Sequence, residues 1–115
     1  MFPRAFRLRS NKEILTTYRK GEKIRRGNLT VFFLPQKDVK VTVIVDTKLS
    51  KRAVVRNLLK RQLRAILEQA GLPHGHLVVR AYPGLEKVQF PELKSTLLQC
   101  LSHPVIRSKK LSSPV

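Results

Sequence analysis

The sequence has few of the residues that stabilise secreted proteins, build thiolate metal centres or cross membranes. Of its 115 residues only Cys100 is a cysteine, which excludes an internal disulfide and a zinc–thiolate cluster. It has no tryptophan, and no apolar run approaches the ~20 residues needed to cross a bilayer. The segment from Met1 to Arg9 has charges but no apolar stretch behind them, unlike a secretory signal. We therefore expect a cytoplasmic protein that does not associate with membranes.

Acidic residues are also scarce, and this scarcity makes the chain strongly basic. There are 7 Asp and Glu against 24 Lys and Arg, giving a formal net charge of +17. Residues 1–64 hold 18 of the basic and 4 of the acidic side chains, so the excess is concentrated in this part. A one-sided basic surface is typical of nucleic-acid binding. An anionic membrane is the alternative, but it usually requires an amphipathic helix with exposed Trp, Phe or Leu.

Motifs for enzymatic chemistry are missing as well. The sequence contains no phosphate-binding glycine loop, zinc-protease motif or nucleophile elbow, and its carboxylates have no spacing typical of a metal site. His74 and His76 flank a glycine, and without a third ligand nearby a surface loop is favoured over a metal pair. We therefore predict no catalytic residue and no metal site in the chain, and we expect Cys100 to be a small buried apolar residue.

The apolar pattern predicts one folded domain over residues 1–102, followed by a flexible tail, rich in Ser, Lys and Pro, over residues 103–115. The predicted elements are a helix over Asn11–Lys20, strands over Leu29–Leu34 and Val39–Asp46, a helix over Lys48–Ala70, a strand over His76–Tyr82 and a helix beginning at Phe90. The first two strands are close enough to form a hairpin, or to belong to a meander with the basic turn before them. The order α-β-β-(β)-α-β-α predicts a single-domain, two-layer α+β sandwich.

The second predicted helix has a basic face. The side chains on that face are Arg56, Asn57, Lys60, Arg61 and Arg64. A row of charges is usually only a solvated helix face, but no carboxylate lies between Lys48 and Ala65. Like charges one turn apart destabilise a helix, so we expect the compensating charge to come from a ligand. Arginine is suited to gripping phosphate, which again favours a nucleic acid.

The segment from Lys48 to Arg64 resembles the signature helix of the bacterial ribonuclease P protein family. Similarity extends along most of the chain, through Arg7-Leu8-Arg9, Tyr18-Arg19-Lys20-Gly21, Leu77-Val78-Val79-Arg80-Ala81 with Pro83-Gly84, and the helix containing Phe90, Glu92 and Leu93. The resemblance implies a ribosomal-protein-like fold with the basic helix in a βαβ crossover. It also implies an accessory subunit that binds a catalytic RNA and the 5′ leader of precursor tRNA. Mg²⁺, held mainly by the RNA and the substrate phosphates, would serve RNA-catalysed removal of the leader. The resemblance implies no protein partner.

The resemblance also assigns residues to two contacts. Those expected to bind the RNA subunit are Lys48, Lys51, Arg52, Arg56, Asn57, Lys60, Arg61 and Arg64. Those expected to line a cleft for the single-stranded leader are Arg9, Ile14, Tyr18 and Phe32. For Tyr18 and Phe32, ordinary core packing is the alternative interpretation.

Three positions depart from the family pattern. Leu58 replaces a signature arginine, and its place beside the apolar arc of the helix predicts that it packs there. Ile14 replaces an aromatic residue and cannot stack on a base, and Asp46 replaces a small polar residue. A structural RNA-binding protein, such as a ribosomal protein, is the alternative function, and a binder of double-stranded DNA is a third possibility.

Overall fold

Three helices and four strands make up the fold in the computed structural model, which describes residues 7–8, 10–71, 73–103 and 106. The elements are α1 (Asn11–Lys20), β1 (Glu22–Arg26), β2 (Leu29–Pro35), β3 (Val39–Val45), α2 (Ala53–Ala70), β4 (Gly75–Ala81), a short 3₁₀ helix (Leu85–Lys87) and α3 (Phe90–Leu101). The predicted α+β order is therefore confirmed.

The sheet has the strand order β1-β2-β4-β3. Strands β1, β2 and β4 pair antiparallel, whereas β3 pairs parallel with β4. The predicted hairpin between β2 and β3 is wrong, because β4 lies between them. Strand β3 connects to β4 through α2, the βαβ crossover that parallel neighbours require and that the resemblance implied. The hairpin in the fold is β1–β2, turning at Gly27 with φ +58°.

The main core lies between one face of the sheet and the helices α2 and α3. Alternate residues of β3, namely Val41, Val43 and Val45, point into it, as the period-two pattern predicted. The helices contribute Leu59, Leu63, Ile66 and Leu67 from α2, and Leu93, Leu97, Cys100 and Leu101 from α3. Cys100 is fully buried, as expected. Burial of these side chains fixes which face of α2 is left for solvent.

Helix α1 packs on the opposite face of the sheet and covers only part of it. Ile14 and Tyr18 pack there against a second, smaller core of Leu8, Phe32 and Val78, together with Ile44. The helix ends at Gly21, where an added Cβ would lie 2.8 Å from the Phe33 carbonyl oxygen. Glycine therefore lets the end of α1 approach the backbone of β2. The sheet forms one of the two predicted layers, and α2 with α3 forms the other. Helix α1 adds a partial third layer on the opposite face of the sheet.

Helix α2 begins five residues later than predicted, at Ala53 rather than Lys48. The backbone N–H of Lys48 donates to Asp46 Oδ1 at 2.9 Å, and that of Arg52 donates to Ser50 Oγ at 3.1 Å. Short polar side chains that bond nearby backbone groups favour turns over helix. The segment 46–52 is therefore a loop leading into the helix.

Most of the predicted C-terminal tail lies outside the described residues. Of its residues, His103 and Ile106 are described, and Ile106 is buried in the main core. The flexible tail stays a prediction. Within the part of the chain that is described, no helix is both long and apolar enough to cross a bilayer.

Candidate nucleic-acid interface

The outer face of α2 brings together the predicted cations of the second half of the signature segment. Lys60, Arg61 and Arg64 line one concavity of about 420 Å³ with Asn57, Ala65 and Glu68. Asn57 and Arg61 are exposed, and Lys60 and Arg64 are half-buried. The carboxylate of this concavity, Glu68, lies at the end nearest the C-terminus of α2, so the other lining residues are cationic or uncharged.

Arg56 has a different position from the other signature residues. Its side chain is half-buried, and Nη1 donates to the carbonyl oxygen of Ser50 at 2.6 Å. This bond ties α2 to the loop 46–52, on which Lys48, Lys51 and Arg52 are all exposed. Arg56 therefore fixes the loop that carries these three cations against the start of the helix.

Asp46, the acidic departure from the family pattern, has a local structural role at the end of β3. Its Oδ1 accepts the Lys48 N–H, and its own N–H donates to the Ala81 carbonyl oxygen at 3.1 Å. Its Oδ2 lies 3.9 Å from Arg80 Nη2. Asp46 thus sets the direction in which the chain leaves the sheet for the cationic loop.

Leu58 does not pack as predicted. Its side chain is 51% exposed, and Val54, one turn earlier on the same side of α2, is 72% exposed. The main core takes side chains from another side of the helix, where Val55 is partly buried and Leu59 is the first buried residue. Position 58 consequently faces solvent, where the arginine of the family pattern would also be exposed.

The predicted leader-cleft residues that the structure describes lie where α1 packs on the sheet face opposite α2, and this side of the sheet beside α1 is called the groove below. The rings of Tyr18 and Phe32 meet edge to face, with centroids 4.6 Å apart. Phe32 is only 8% exposed, so core packing explains most of its surface, whereas Tyr18 is half-buried at the groove. Ile14 packs beside them, and Arg9 lies outside the described residues.

The same face of the sheet continues past α1 with residues that the sequence analysis did not assign to a site. Lys23 Nζ lies 6.0 Å from the Phe32 ring centre. Farther along, the guanidinium carbons of Arg80 and Arg25 lie 5.3 and 6.0 Å from the centre of the Tyr82 ring. Lys23 and Arg25 belong to β1, Arg80 belongs to β4, and Tyr82 directly follows β4. Only the pairing of the strands brings these residues together. The alternating cations of β1 were the available signal, but β1 was not predicted as a strand because Ile24 is its single apolar residue.

An ionic cluster holds the other end of α1 on the sheet. His76 Nε2 lies 3.1 Å from Asp38 Oδ1 and 3.8 Å from Glu13 Oε2. Lys40 Nζ is 3.7 Å from Glu13 Oε1. His76 is therefore buried in β4 under α1, and the surface-loop interpretation fails for it, although His74 is exposed. Among the described residues, no group of three or more His, Cys, Asp or Glu is arranged to hold a metal ion.

The carboxyl group of Asp38 titrates below its ordinary value of 3.8 in this cluster. Burial raises its pKa, but a hydrogen bond from its own backbone N–H and one from His76 lower it. The charges of His76 and Lys40 lower the pKa further. The net direction favours the charged carboxylate, which keeps Asp38 available to His76.

The chain is similar to known proteins over most of its length. The family model for Ribonuclease P matches residues 2–105. The chain belongs to the Ribonuclease P family. Among its relatives, the ribonuclease P protein component of Thermus thermophilus is 40% identical over 83 residues, covering 72% of this chain and 50% of the relative. That of Picosynechococcus is 32% identical over 107 residues, covering 84% of this chain and 91% of the relative.

Solved structures of the Ribonuclease P family show the same fold. The RNase P protein of Staphylococcus aureus superposes with a TM-score of 0.77 at 21% identity, covering 85% of this chain and 94% of that one. The RNase P protein of Thermotoga maritima gives a TM-score of 0.70 at 25% identity, covering 81% and 92%. The chain spans about half the length of the Thermus relatives that it matches.

Proposed function

We propose that this chain is the protein subunit of ribonuclease P, which binds the catalytic RNA and assists removal of the 5′ leader from precursor tRNA. The observation that supports the proposal is the outer face of α2. It presents Lys60, Arg61 and Arg64 beside Asn57, in a segment without a carboxylate from residue 48 to residue 65. Membership of the Ribonuclease P family makes the RNA subunit the polyanion that such a face would bind.

The physical role of this face is electrostatic. Lys and Arg side chains that pair with phosphates release condensed counterions, which gives the binding its affinity and its salt dependence. The cations on α2 and on the loop 46–52 would also reduce repulsion between the RNA subunit and the precursor tRNA. Less Mg²⁺ would then be needed to bring the two RNAs together.

The groove would hold the single-stranded leader. Unstacked bases bind on aromatic side chains above basic grooves, at ~1–3 kcal/mol per stacked base. Tyr18 offers the half-exposed ring, Phe32 supports it from the floor, and Ile14 provides an apolar contact without stacking. Arg9 is proposed for the same cleft on the resemblance alone.

Catalysis is proposed to belong to the RNA. Mg²⁺ bound by the RNA subunit and by the substrate phosphates would supply the metal-assisted hydrolysis of the phosphodiester bond. The protein would position both RNAs and would be inactive by itself. Its contribution should therefore be largest where Mg²⁺ is limiting.

The test is reconstitution with the cognate RNA subunit at low Mg²⁺. Adding the protein should enhance cleavage of precursor tRNA, whereas the variant Lys60→Gln/Arg61→Gln/Arg64→Gln should enhance it much less. A control variant, Lys87→Gln/Lys94→Gln, removes cations outside α2 and should behave like the wild type. No enhancement by the wild-type protein would overturn the proposal. Recovery of the chain in purified ribosomal particles, without the RNA subunit, would favour a structural RNA-binding role instead.

A further inference from the structure

The part of the sheet face that α1 leaves uncovered contains a second cluster of polar residues. Arg25 of β1 pairs with Thr30 of β2, and Thr30 pairs with Arg80 of β4. The three residues therefore form one row across three strands, on the same face as Phe32. Tyr82 follows β4 and lies on this face, next to both arginines.

The two guanidinium groups are held in place without being neutralised by their surroundings. Both lie within 6.0 Å of the Tyr82 ring centre, a distance at which a cation is attracted to an aromatic face. Arg25 Nε donates to the Gly27 carbonyl oxygen at 3.3 Å. Arg80 Nη2 lies 3.9 Å from the Asp46 carboxylate, which already accepts the Lys48 N–H. Among the described residues, the one carboxylate within 4 Å of either guanidinium group is therefore Asp46, and it lies near Arg80.

Two buried polar atoms in this row have no hydrogen-bond partner. They are Thr30 Oγ1 and Arg80 Nε. Thr30 is fully buried, and Arg80 Nε is an obligate donor. Buried polar atoms in folded proteins nearly always have partners, so bonds within the protein do not complete this row. Because both atoms are covered by neighbouring groups, a ligand would meet the outer guanidinium nitrogens of the arginines above them.

We propose that Arg25, Arg80 and Tyr82, which lie above the buried Thr30, form a phosphate-binding subsite for single-stranded RNA beside α1 on this face of the sheet. Guanidinium groups grip phosphate oxygens with paired hydrogen bonds, and the Tyr82 ring orients them for this before the ligand arrives. The inference rests on the proposed function, because the leader is the single strand that would cross the groove.

The sheet geometry sets where along the strand this phosphate lies. Thr30 and Phe32 are two residues apart on one face of β2, which corresponds to about 7 Å. One nucleotide of an extended strand spans such a separation. The subsite therefore takes the phosphate about one nucleotide away from the base that lies against Tyr18 and Phe32.

The test measures the affinity of the reconstituted holoenzyme for precursor tRNAs whose leaders grow by one nucleotide at a time. For the wild type, affinity should rise by about tenfold when the leader reaches the subsite, as expected for a charge-assisted phosphate contact. Arg25→Gln/Arg80→Gln should remove this step, Tyr82→Leu should reduce it, and Tyr82→Phe should keep it. Binding of the RNA subunit should be unchanged in all of them.

A neutral phosphate gives an independent measurement, because it changes the RNA and can be compared between the wild type and the double variant. A methylphosphonate placed at each leader position in turn should weaken wild-type binding at one position and have no further effect on Arg25→Gln/Arg80→Gln. The subsite would be overturned if the methylphosphonate weakened wild-type binding equally at all leader positions. It would also be overturned if Arg25→Gln/Arg80→Gln kept the rise in affinity with leader length. Either result would still be consistent with leader binding. A wild-type holoenzyme indifferent to leader length would overturn leader binding and the subsite together.

Discussion

The outer face of α2 and the groove on the other side of the sheet are two candidate RNA-binding surfaces built in different ways. The face of α2 belongs to one continuous helix, and its cations follow each other at a spacing visible in the sequence. The groove takes residues from α1, β1, β2 and β4, which only the sheet register brings together. A surface made by one element can be predicted from periodicity, whereas a surface made by several requires the topology.

The two surfaces also differ in charge. No carboxylate lies among the cations between residues 48 and 65, whereas the sheet side contains Glu13, Asp38 and Asp46, each within 4 Å of a cationic or histidine nitrogen. Binding to α2 should therefore depend strongly on salt. Binding in the groove should depend more on stacking and on a few oriented charges.

The largest expected effect comes from removing the α2 cations. Lys60→Gln/Arg61→Gln/Arg64→Gln should weaken binding of the RNA subunit by about a hundredfold at moderate salt. The slope of log affinity against log salt should fall by roughly one for each phosphate that the variant no longer neutralises. Titrations of the protein into the RNA subunit at several salt concentrations measure both quantities.

The stability of that triple variant separates loss of binding from loss of folding. The substitutions lie on the outer side of α2, so the melting temperature should stay equal to or above that of the wild type, because like-charge repulsion is relieved. An unchanged salt slope in a folded variant would mean that α2 is an ordinary solvated helix face.

Substitutions in the groove should weaken binding of the leader, with little dependence on salt, and should leave binding of the RNA subunit unchanged. Tyr18→Leu should weaken binding of leader-containing precursor tRNA by about tenfold, from the loss of one stacked base at ~1–3 kcal/mol. The loss should be similar at all salt concentrations, and affinity for the RNA subunit should not change. Tyr18→Phe keeps the ring and should bind like the wild type. Equal losses for leaderless and leader-containing tRNA would show that Tyr18 serves the small core alone.

The contrast between the surfaces also explains how much of the molecule could be predicted from sequence. Helix α1, the apolar stripe of α2 and the strand 39–45 follow from local patterns and were placed correctly. The hairpin between β2 and β3 was wrong because short sequence separation does not reveal that β4 inserts between them. Tyr82 and Arg80 could not be linked to Arg25 without that pairing.

Position 58 tests whether the α2 surface can be extended. Leu58→Arg introduces the cation of the family pattern at a side chain that is 51% exposed. Affinity for the RNA subunit should rise a few-fold at low salt, and the salt slope should steepen by about one. The free energy of unfolding should change by less than about 0.5 kcal/mol, as for exposed positions generally.

Leu15 on α1 offers a matched control for that substitution. It is also 51% exposed, and it lies on the other side of the sheet. Leu15→Arg adds the same charge and should leave the salt slope of RNA-subunit binding as in the wild type. Equal steepening by both variants would indicate that net charge, and not position on α2, determines the affinity.

The smallest expected effect is a change in the free energy of unfolding that depends on acid pH. It comes from Asp38, in the ionic cluster under α1. Because the pKa of Asp38 is lower in the folded chain than its ordinary value, ionised Asp38 stabilises the fold above pH 3.8. That contribution is lost as the pH falls through the folded pKa. Asp38→Asn should therefore lower the free energy of unfolding at pH 7 by less than about 1 kcal/mol, as for exposed ion pairs. The difference from the wild type, measured by denaturant titration, should shrink as the pH falls below 3.8 and the carboxyl group protonates.

The pH dependence of that difference separates two roles for Asp38. A difference that stays constant under acid would mean that Asp38 acts through its shape instead of its charge on His76 and Lys40. RNA-subunit binding by Asp38→Asn at pH 7 should match the wild type, since α2 lies on the opposite face of the sheet. Weaker binding there would mean that the ionic cluster under α1 also supports the α2 surface, and the two surfaces would then not be independent.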